Sequence, residues 1–128
     1  TNVDYIEYDL PLDGEINLFK TSHFSGVHIF IEKDSNREVV AVDKGEVSYI
    51  DSIPGYGLTV FIKHKNGFLS TYSGLEKINV KKGDKIEKNQ EIGLAGNLAR
   101  YDKYGILFSI QNNGKGLNYD IKSNKFIC

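Results

Sequence analysis

The chain has 128 residues, of which 40% are hydrophobic and 26% are charged, and these proportions indicate a folded domain rather than a disordered segment. The 16 basic and 17 acidic residues give a formal net charge of −1, so there is no basic excess to neutralise phosphates and no electrostatic argument for nucleic-acid binding. The sequence lacks a run of about 18 apolar residues, so membrane contact is expected only through segments outside this chain.

Hydrophobic periodicity along the chain is that of β-strands. Residues 39–42 and 47–50 form β-branched or aromatic runs on either side of a turn-like segment, and apolar residues alternate along 58–63. Asn-Gly pairs at 66–67 and 113–114 each separate two such runs, which predicts hairpins because both turn positions favour positive φ. No window of about 12 residues carries the apolar stripe of an amphipathic helix. The pattern predicts an all-β fold, an antiparallel sandwich or barrel with little or no helix.

The turn signals continue without a linker or a low-complexity tract, which indicates one domain over residues 1–128. The two ends, 1–10 and 123–128, are interpreted as possible appendages. The one cysteine, Cys128, cannot form an internal disulfide or a thiolate metal site by itself.

Seven short segments follow one another in an order that is typical of a known protein family. Residues 55–67 read GYGLTVFIKHKNG, close to the family block GYG-x-x-V-x-I-x-H-x-x-G, and 71–75 read TYSGL where the family has Tyr-x-His-Leu. The other segments are 12–16, 25–27, 39–47, 83–96 and 106–110. Together they resemble a LytM-type, lysostaphin-like zinc endopeptidase domain of peptidase family M23 over residues 12–119. The resemblance implies the LytM fold, a duplicated hybrid motif of antiparallel strands.

The resemblance also implies where a catalytic zinc would be held. In the family a histidine, an aspartate and a second histidine bind the metal, and they align here with Phe24, His28 and Leu107. Two assisting histidines align with Gly74 and Gly105. A catalytic zinc needs three protein ligands, and one imidazole alone binds zinc weakly. We therefore expect no cofactor, no metal site and no catalytic residue, which makes the chain a pseudoenzyme of the family.

Four other side chains receive a separate interpretation. His23 is interpreted as a surface or turn histidine, and His64 as structural or solvent-facing. Tyr72 matches the family tyrosine and is expected to be half-buried at the rim of the former substrate groove. His28 either fills the groove or contacts a partner. The candidate groove or partner-binding residues are Phe24, His28, Tyr72, Gly74, Gly105, Leu107 and Ser109.

The favoured hypothesis is a non-catalytic binding or regulatory domain. Apolar side chains at Phe24 and Leu107, with no side chain at Gly74 and Gly105, predict a drier cleft that suits a peptide segment or a partner loop. Degenerate members of the family regulate cell-wall hydrolases or hold membrane assemblies together. The resemblance therefore implies a protein partner of this kind in a bacterial cell envelope, outside the cytoplasm.

Two alternatives remain open. The first is a module that binds peptidoglycan without cleaving it, using groove-rim aromatics that stack on sugars. These aromatics are Tyr56, Tyr72, Tyr101 and Tyr104. The second is a metallopeptidase with an unconventional metal site built from His23, His28 and carboxylates.

Overall fold

The structure is a computed structural model that describes residues 5–6, 10–21, 24–120, 122–123 and 125–127. This described part is almost entirely antiparallel β-sheet, which confirms the all-β prediction. The strands are β1 (Tyr5–Ile6), β2 (Glu15–Lys20), β3 (Ser25–Ile31), β4 (Glu38–Val40), β5 (Gly45–Ile53), β6 (Gly57–Lys63), β7 (Phe68–Ile78), β8 (Lys85–Ile86), β9 (Glu91–Leu98), β10 (Lys103–Asn112), β11 (Lys115–Gly116), β12 (Asn118–Asp120) and β13 (Lys125–Ile127). Within these residues no helix has the length and apolar character needed to cross a membrane.

Most of the strands belong to one large sheet. Its order is β2-β3-β10-β9-β7-β6-β5-β8, with β4 added to β9 and β11 added to β10. The first half of β10 pairs with β9 and the second half pairs with β7, so β10 joins both strands at the centre of the sheet. A smaller sheet has the order β1-β13-β12. The long-range pairing of β3, β7 and β10 brings together segments that are far apart in the sequence.

Both predicted Asn-Gly turns are present. Asn66 and Gly67 have φ of 64° and 81°, in the short 3-10 turn Lys65–Gly67 between β6 and β7. Asn113 and Gly114 have φ of 51° and 83°, between β10 and β11. These residue types tolerate positive φ, which is why the sequence locates the two turns correctly.

Alternation along the central strands separates a core face from an outer face. In β10 the side chains of Ile106, Phe108 and Ile110 are no more than 1% exposed and belong to the hydrophobic core. Val27 and Ile29 of β3 lie on the same side and are fully buried. Because successive side chains of a strand point to opposite faces, the residues between them face the other side of the sheet.

Candidate functional site

The outer face of the sheet brings together side chains from the sequence motifs. His28 of β3 lies directly opposite Leu107 of β10, and Leu107 lies opposite Ser73 of β7. One step along the strands, Ser109 lies opposite Thr71. We call this surface the groove face. Its members are Phe24, His28, Thr59, Thr71, Ser73, Leu107 and Ser109.

The groove face is covered rather than open. His28, Leu107 and Ser109 are only 7%, 4% and 1% exposed. His28 is enclosed by an aromatic cluster contributed by four separate segments. The cluster consists of Phe19, Phe24, His28, Phe30, Tyr56 and Tyr101.

Phe19 of β2 lies at the centre of the aromatic cluster. The centroid of its ring is 5.9 Å from that of Phe24 and 5.0 Å from that of His28, both in edge-on geometry. Tyr56 extends the cluster at one end, 6.2 Å from Phe24 and 6.5 Å from Phe19. These separations and tilts are the ones that aromatic pairs prefer, so the cluster contributes packing energy beyond its buried area.

His28 connects the two halves of the aromatic cluster. Its imidazole stacks on Phe30 at 5.2 Å with an interplanar angle of 13°, and it meets the edge of Tyr101 at 4.8 Å. Burial, and secondarily the positive charge of Arg100, lower the pKa of His28 below its ordinary value of 6.5. The imidazole is therefore neutral at physiological pH and packs as an aromatic ring.

The cluster remains accessible at its two ends. Tyr56 is 39% exposed and Tyr101 is 38% exposed. Beyond Tyr101, the ammonium group of Lys103 lies 5.0 Å from the centre of the Phe30 ring, in cation–π geometry. The exposed part of the cluster is thus aromatic, with a cation at one end.

Gly74 and Gly105 stand where larger side chains do not fit. A Cβ atom on Gly74 would lie 2.5 Å from Cδ2 of Leu98, and the φ of Gly74 is +93°. A Cβ atom on Gly105 would overlap the carbonyl oxygen of Ile29 on the paired strand β3. A histidine is therefore disfavoured at both positions, by the positive φ at Gly74 and by the neighbouring backbone at Gly105.

Hydroxyl groups form the floor of the groove face. The hydroxyl of Thr59 donates to the carbonyl oxygen of Gly57 at 3.0 Å and is hydrogen-bonded to Ser73 Oγ at 2.9 Å. The buried hydroxyls of Thr71 and Ser109 have no hydrogen-bond partner within the described residues. This part of the groove face is therefore polar.

Tyr72 does not lie at the groove rim as the sequence suggested. Its side chain is fully buried on the core face, where its ring is 5.3 Å from Phe108. Its hydroxyl accepts a hydrogen bond from the Val42 N–H at 3.1 Å and is hydrogen-bonded to Ser70 at 2.8 Å. The expectation for Tyr72 was wrong because Gly74 is a bulge: Leu58 and Thr59 of β6 pair with Leu75 and Ser73, and Gly74 is skipped.

His64 is structural, as one of its two interpretations held, and it is not solvent-facing. It is 6% exposed, with Nε2 2.7 Å from Ser70 Oγ and Nδ1 2.7 Å from the Lys44 carbonyl oxygen. His23, the other histidine considered, lies outside the described residues.

The sequence model of Peptidase family M23 matches residues 22–119, which is more than half of the chain. The chain belongs to peptidase family M23. This confirms the family resemblance and accounts for the order of six of the seven motif segments, since residues 12–16 lie outside the match.

Curated relatives of the M23 domain include proteins with different roles. This chain is 31% identical over 81 residues to the murein hydrolase activator EnvC of Escherichia coli. The aligned part covers 63% of this chain and 19% of EnvC. This chain is also 33% identical over 90 residues to stage II sporulation protein Q of Bacillus subtilis. That alignment covers 68% of this chain and 32% of the sporulation protein. The chain thus spans less than a third of the length of these relatives.

A solved structure supports the same assignment. A candidate M23 peptidase from Pseudomonas aeruginosa superposes with a TM-score of 0.73 and 27% identity, covering 85% of this chain and 46% of that one. The fold of the M23 domain is therefore shared with a protein that is described as a peptidase, while EnvC is described as an activator of hydrolases.

The positions that the resemblance aligns with the family's zinc ligands carry a different set of side chains in this M23 domain. Phe24 and Leu107 carry no donor atom, and the His28 ring is enclosed by Phe19, Phe30 and Tyr101. Across the described ranges no three His, Cys, Asp or Glu side chains are placed to hold one metal ion. A zinc site needs three such ligands and an open position.

Sequence reasoning missed several members of the site. It named Tyr56 and Tyr101 as rim aromatics, but not Phe19, Phe30 or Leu98. The spacing of His28 and Phe30, two residues apart in one strand, could have placed both on one face. No sequence signal places Phe19 and Leu98, because each reaches the site from a different strand.

Proposed function

We propose that this M23 domain is a non-catalytic binding or regulatory domain of a bacterial cell-envelope protein. The observation that supports the proposal is the aromatic cluster, which includes Phe24 and His28, two of the positions that the resemblance aligns with metal ligands. Phe24 and Leu107 replace two ligands, and the third position, His28, packs as a neutral ring between Phe19 and Phe30. Hydrolysis would need a metal-activated water, and the side chains of Phe24 and Leu107 offer no ligand to hold the metal.

The exposed ends of the aromatic cluster support a binding role. Tyr56 and Tyr101 present ring surface together with a hydroxyl group, a combination that is enriched at protein interfaces. The murein hydrolase activator EnvC, a relative, supports a protein partner such as a cell-wall hydrolase or a membrane-assembly protein. Because murein lies outside the cytoplasmic membrane, the same relative favours an extracytoplasmic location.

Peptidoglycan itself is a second candidate ligand. Exposed tyrosine rings stack on the apolar faces of sugars, and Tyr56 and Tyr101 offer such rings. Tyr72 and Tyr104, the other two aromatics named from the sequence, do not offer a free ring. Tyr72 is buried, and the ring of Tyr104 faces the Arg37 guanidinium at 5.0 Å. Co-sedimentation with purified, insoluble cell wall tests this candidate, and Tyr56→Ala with Tyr101→Ala should abolish it.

The absence of catalysis is tested on purified peptidoglycan supplied with zinc. We expect the domain to release no peptide or glycan fragments, since the motif positions cannot hold the metal. A lysostaphin-type enzyme serves as the positive control in the same buffer. Zinc-dependent release of fragments by this domain, abolished by His28→Ala, would contradict the proposal.

The binding role is tested by site-specific crosslinking in the native host. A photoreactive amino acid replaces Tyr56 or Tyr101 in the full-length protein, and an exposed residue away from the groove face, Lys88, serves as the control position. We expect a discrete crosslinked protein from positions 56 and 101 and none from position 88. Equal crosslinking from all three positions would show that the aromatic cluster is not the interface.

A further inference from the structure

The turn between β5 and β6 sends one aromatic side chain across the sheet. Tyr56 lies in this turn, and the centre of its ring is 6.2 Å from that of Phe24 and 6.5 Å from that of Phe19 in β2. β2 and β6 are not neighbours in the sheet, because β3, β10 and β7 lie between them. Neighbouring strands are about 4.8 Å apart, so the Tyr56 ring meets its partners above the groove face of the intervening strands.

Phe24 completes this contact from the opposite side of the groove face. A Cβ atom on Gly26 would lie 3.1 Å from Cε2 of Phe24, so the ring rests on β3 at a position that has no side chain. The same Cβ atom would lie 2.6 Å from the carbonyl oxygen of Phe108, and Ser109 is the next residue of β10. The Phe24 ring therefore lies beside the stretch of β10 that carries Ser109.

Two buried hydroxyl groups lie on this part of the groove face. Thr71 and Ser109 are opposite each other on β7 and β10 and are 7% and 1% exposed, and neither hydroxyl has a hydrogen-bond partner within the described residues. A buried hydroxyl without a partner costs free energy, and most buried hydroxyls in native proteins have one. The favourable ring contacts are therefore opposed by a cost of similar size, which brings an open arrangement close in free energy to the closed one.

The backbone around Tyr56 allows the turn to move separately from the strands. Gly55 and Gly57 flank Tyr56 with φ of +84° and +82°, and a Cβ atom on Gly55 would have nothing within 4 Å. The Tyr56 N–H donates to the Ile53 carbonyl oxygen at 2.9 Å, a bond within the turn itself. Small residues at such positions absorb backbone rotation in the loops that open and close over binding sites. The ring contacts of Tyr56 are what join this turn to the other side of the groove face.

We propose that the Tyr56 turn is a lid, held closed by the contacts of its ring with Phe19 and Phe24, which opens to expose the hydroxyls of Thr71 and Ser109. The closed lid restricts access to the groove face, and in the open form both hydroxyls can form hydrogen bonds with water or with a bound partner. The regulatory meaning of the lid rests on the proposed binding function, since it controls access to that binding surface. The opening itself is a property of the free domain.

The reactivity of a thiol placed under the lid measures its opening. Ser109→Cys in a Cys128→Ser background provides a single thiol, and its rate of alkylation by iodoacetamide reports the open fraction. We expect this rate to be at least about 100-fold lower than in the urea-unfolded chain. Adding Tyr56→Ala should raise it at least about fivefold, because two ring contacts are lost. Tyr56→Phe keeps both contacts and should leave the rate unchanged, as should Leu18→Ala, an exposed change outside the aromatic cluster.

Circular dichroism confirms that each variant is folded, and Thr71→Cys is a second probe that replaces Ser109→Cys if the latter unfolds. The alkylation rate should not change in low urea, since opening one turn exposes little surface. A thiol that reacts as fast as in the unfolded chain would overturn the lid, and so would equal rates for Tyr56→Ala and Tyr56→Phe. A rate that rises with urea as global unfolding does would also overturn it. Because alkylation uses no partner, its failure leaves the crosslinking test of the proposed function intact.

Discussion

Gly74 and Gly105 illustrate two different ways in which a single position excludes a side chain. At Gly74 the obstacle is the side chain of Leu98, together with a φ of +93°. At Gly105 the obstacle is a backbone carbonyl, that of Ile29, which cannot rotate away. A backbone obstacle costs more than a side-chain obstacle because relieving it separates two paired strands.

Gly105→Ala should therefore destabilise the fold strongly. We expect the free energy of unfolding to fall by about 3 kcal/mol or more, because the new methyl group displaces β3 from β10. Gly114→Ala is the matched control: its φ is +83°, but nothing lies within 4 Å of the new atom, so it should cost only about 1 kcal/mol. Urea unfolding of both variants measures the difference, and equal costs would contradict the backbone overlap.

His28 should make stability depend on pH. Its pKa is lowered in the folded state, so below pH 6.5 the unfolded chain binds a proton more readily than the folded chain. Above the unfolded-state pKa the imidazole is neutral in both states, and the domain keeps its full stability. As the pH drops from about 7 toward 5, protonation of the unfolded chain lowers the free energy of unfolding. His28→Phe should retain the ring packing and flatten this part of the profile. Unfolding measured at a series of pH values checks this, and an unchanged slope would refute it.

At the scale of elements, buried hydrogen bonds join β6 and β7 to the segment before β5. Tyr72 and Ser70 of β7 are linked to each other, to the Val42 N–H and to His64, which in turn reaches the carbonyl of Lys44. Because that carbonyl only accepts, Nδ1 of His64 carries the proton. On the groove face of β7 the hydrogen bonding is less complete, because the hydroxyl of Thr71 has no hydrogen-bond partner in the described part of the chain.

These two faces of β7 predict opposite results for removing a hydroxyl group. Tyr72→Phe leaves the buried Val42 N–H unpaired and should lower the free energy of unfolding by about 1–3 kcal/mol. Thr71→Val removes a hydroxyl group without a described partner and should be neutral or stabilising, since valine suits a strand. Thermal unfolding separates the two outcomes. A Thr71→Val variant that is as unstable as Tyr72→Phe would show that Thr71 has an important partner.

At the scale of the whole molecule, the C-terminal segment belongs to the packing of the domain. Phe126 of β13 is 1% exposed and packs 5.7 Å from Phe108 and 5.0 Å from Tyr119, measured between ring centres. It lies beyond residues 22–119, the part that the family model matches. The sequence led us to interpret residues 123–128 as a possible appendage. Phe126, however, is part of the hydrophobic core.

Phe126→Ala should accordingly cost about 3–5 kcal/mol, because a large buried ring is removed and a cavity remains. Phe126→Leu keeps most of the volume and should cost less. Leu18→Ala, at a position that is 58% exposed, serves as the surface control with a small effect. Chemical denaturation of the three variants tests the order of these costs. A Phe126→Ala variant as stable as Leu18→Ala would show that the small sheet does not support the core.

Much of the fold could be predicted from local sequence signals. The two Asn-Gly turns were located correctly because asparagine and glycine tolerate positive φ, whatever the rest of the chain does. His28 and Leu107, which the family motifs assign to one site, lie opposite each other on β3 and β10. Tyr72 could not be placed correctly, because the bulge at Gly74 interrupts the two-residue alternation and nothing nearby in the sequence announces it.

The sequence by itself determined which atoms are present at the motif positions. Phe24 and Leu107 have no metal-binding atom in any conformation, and this conclusion needs no structure. Only the tertiary structure decided what fills the site: rings from β2, β3 and two loops, with Leu98 from β9 over Gly74. It also decided that β2 ends the sheet with an open edge. The physical reason is that these contacts join residues far apart in the chain, whereas periodicity reports only on neighbours within one strand.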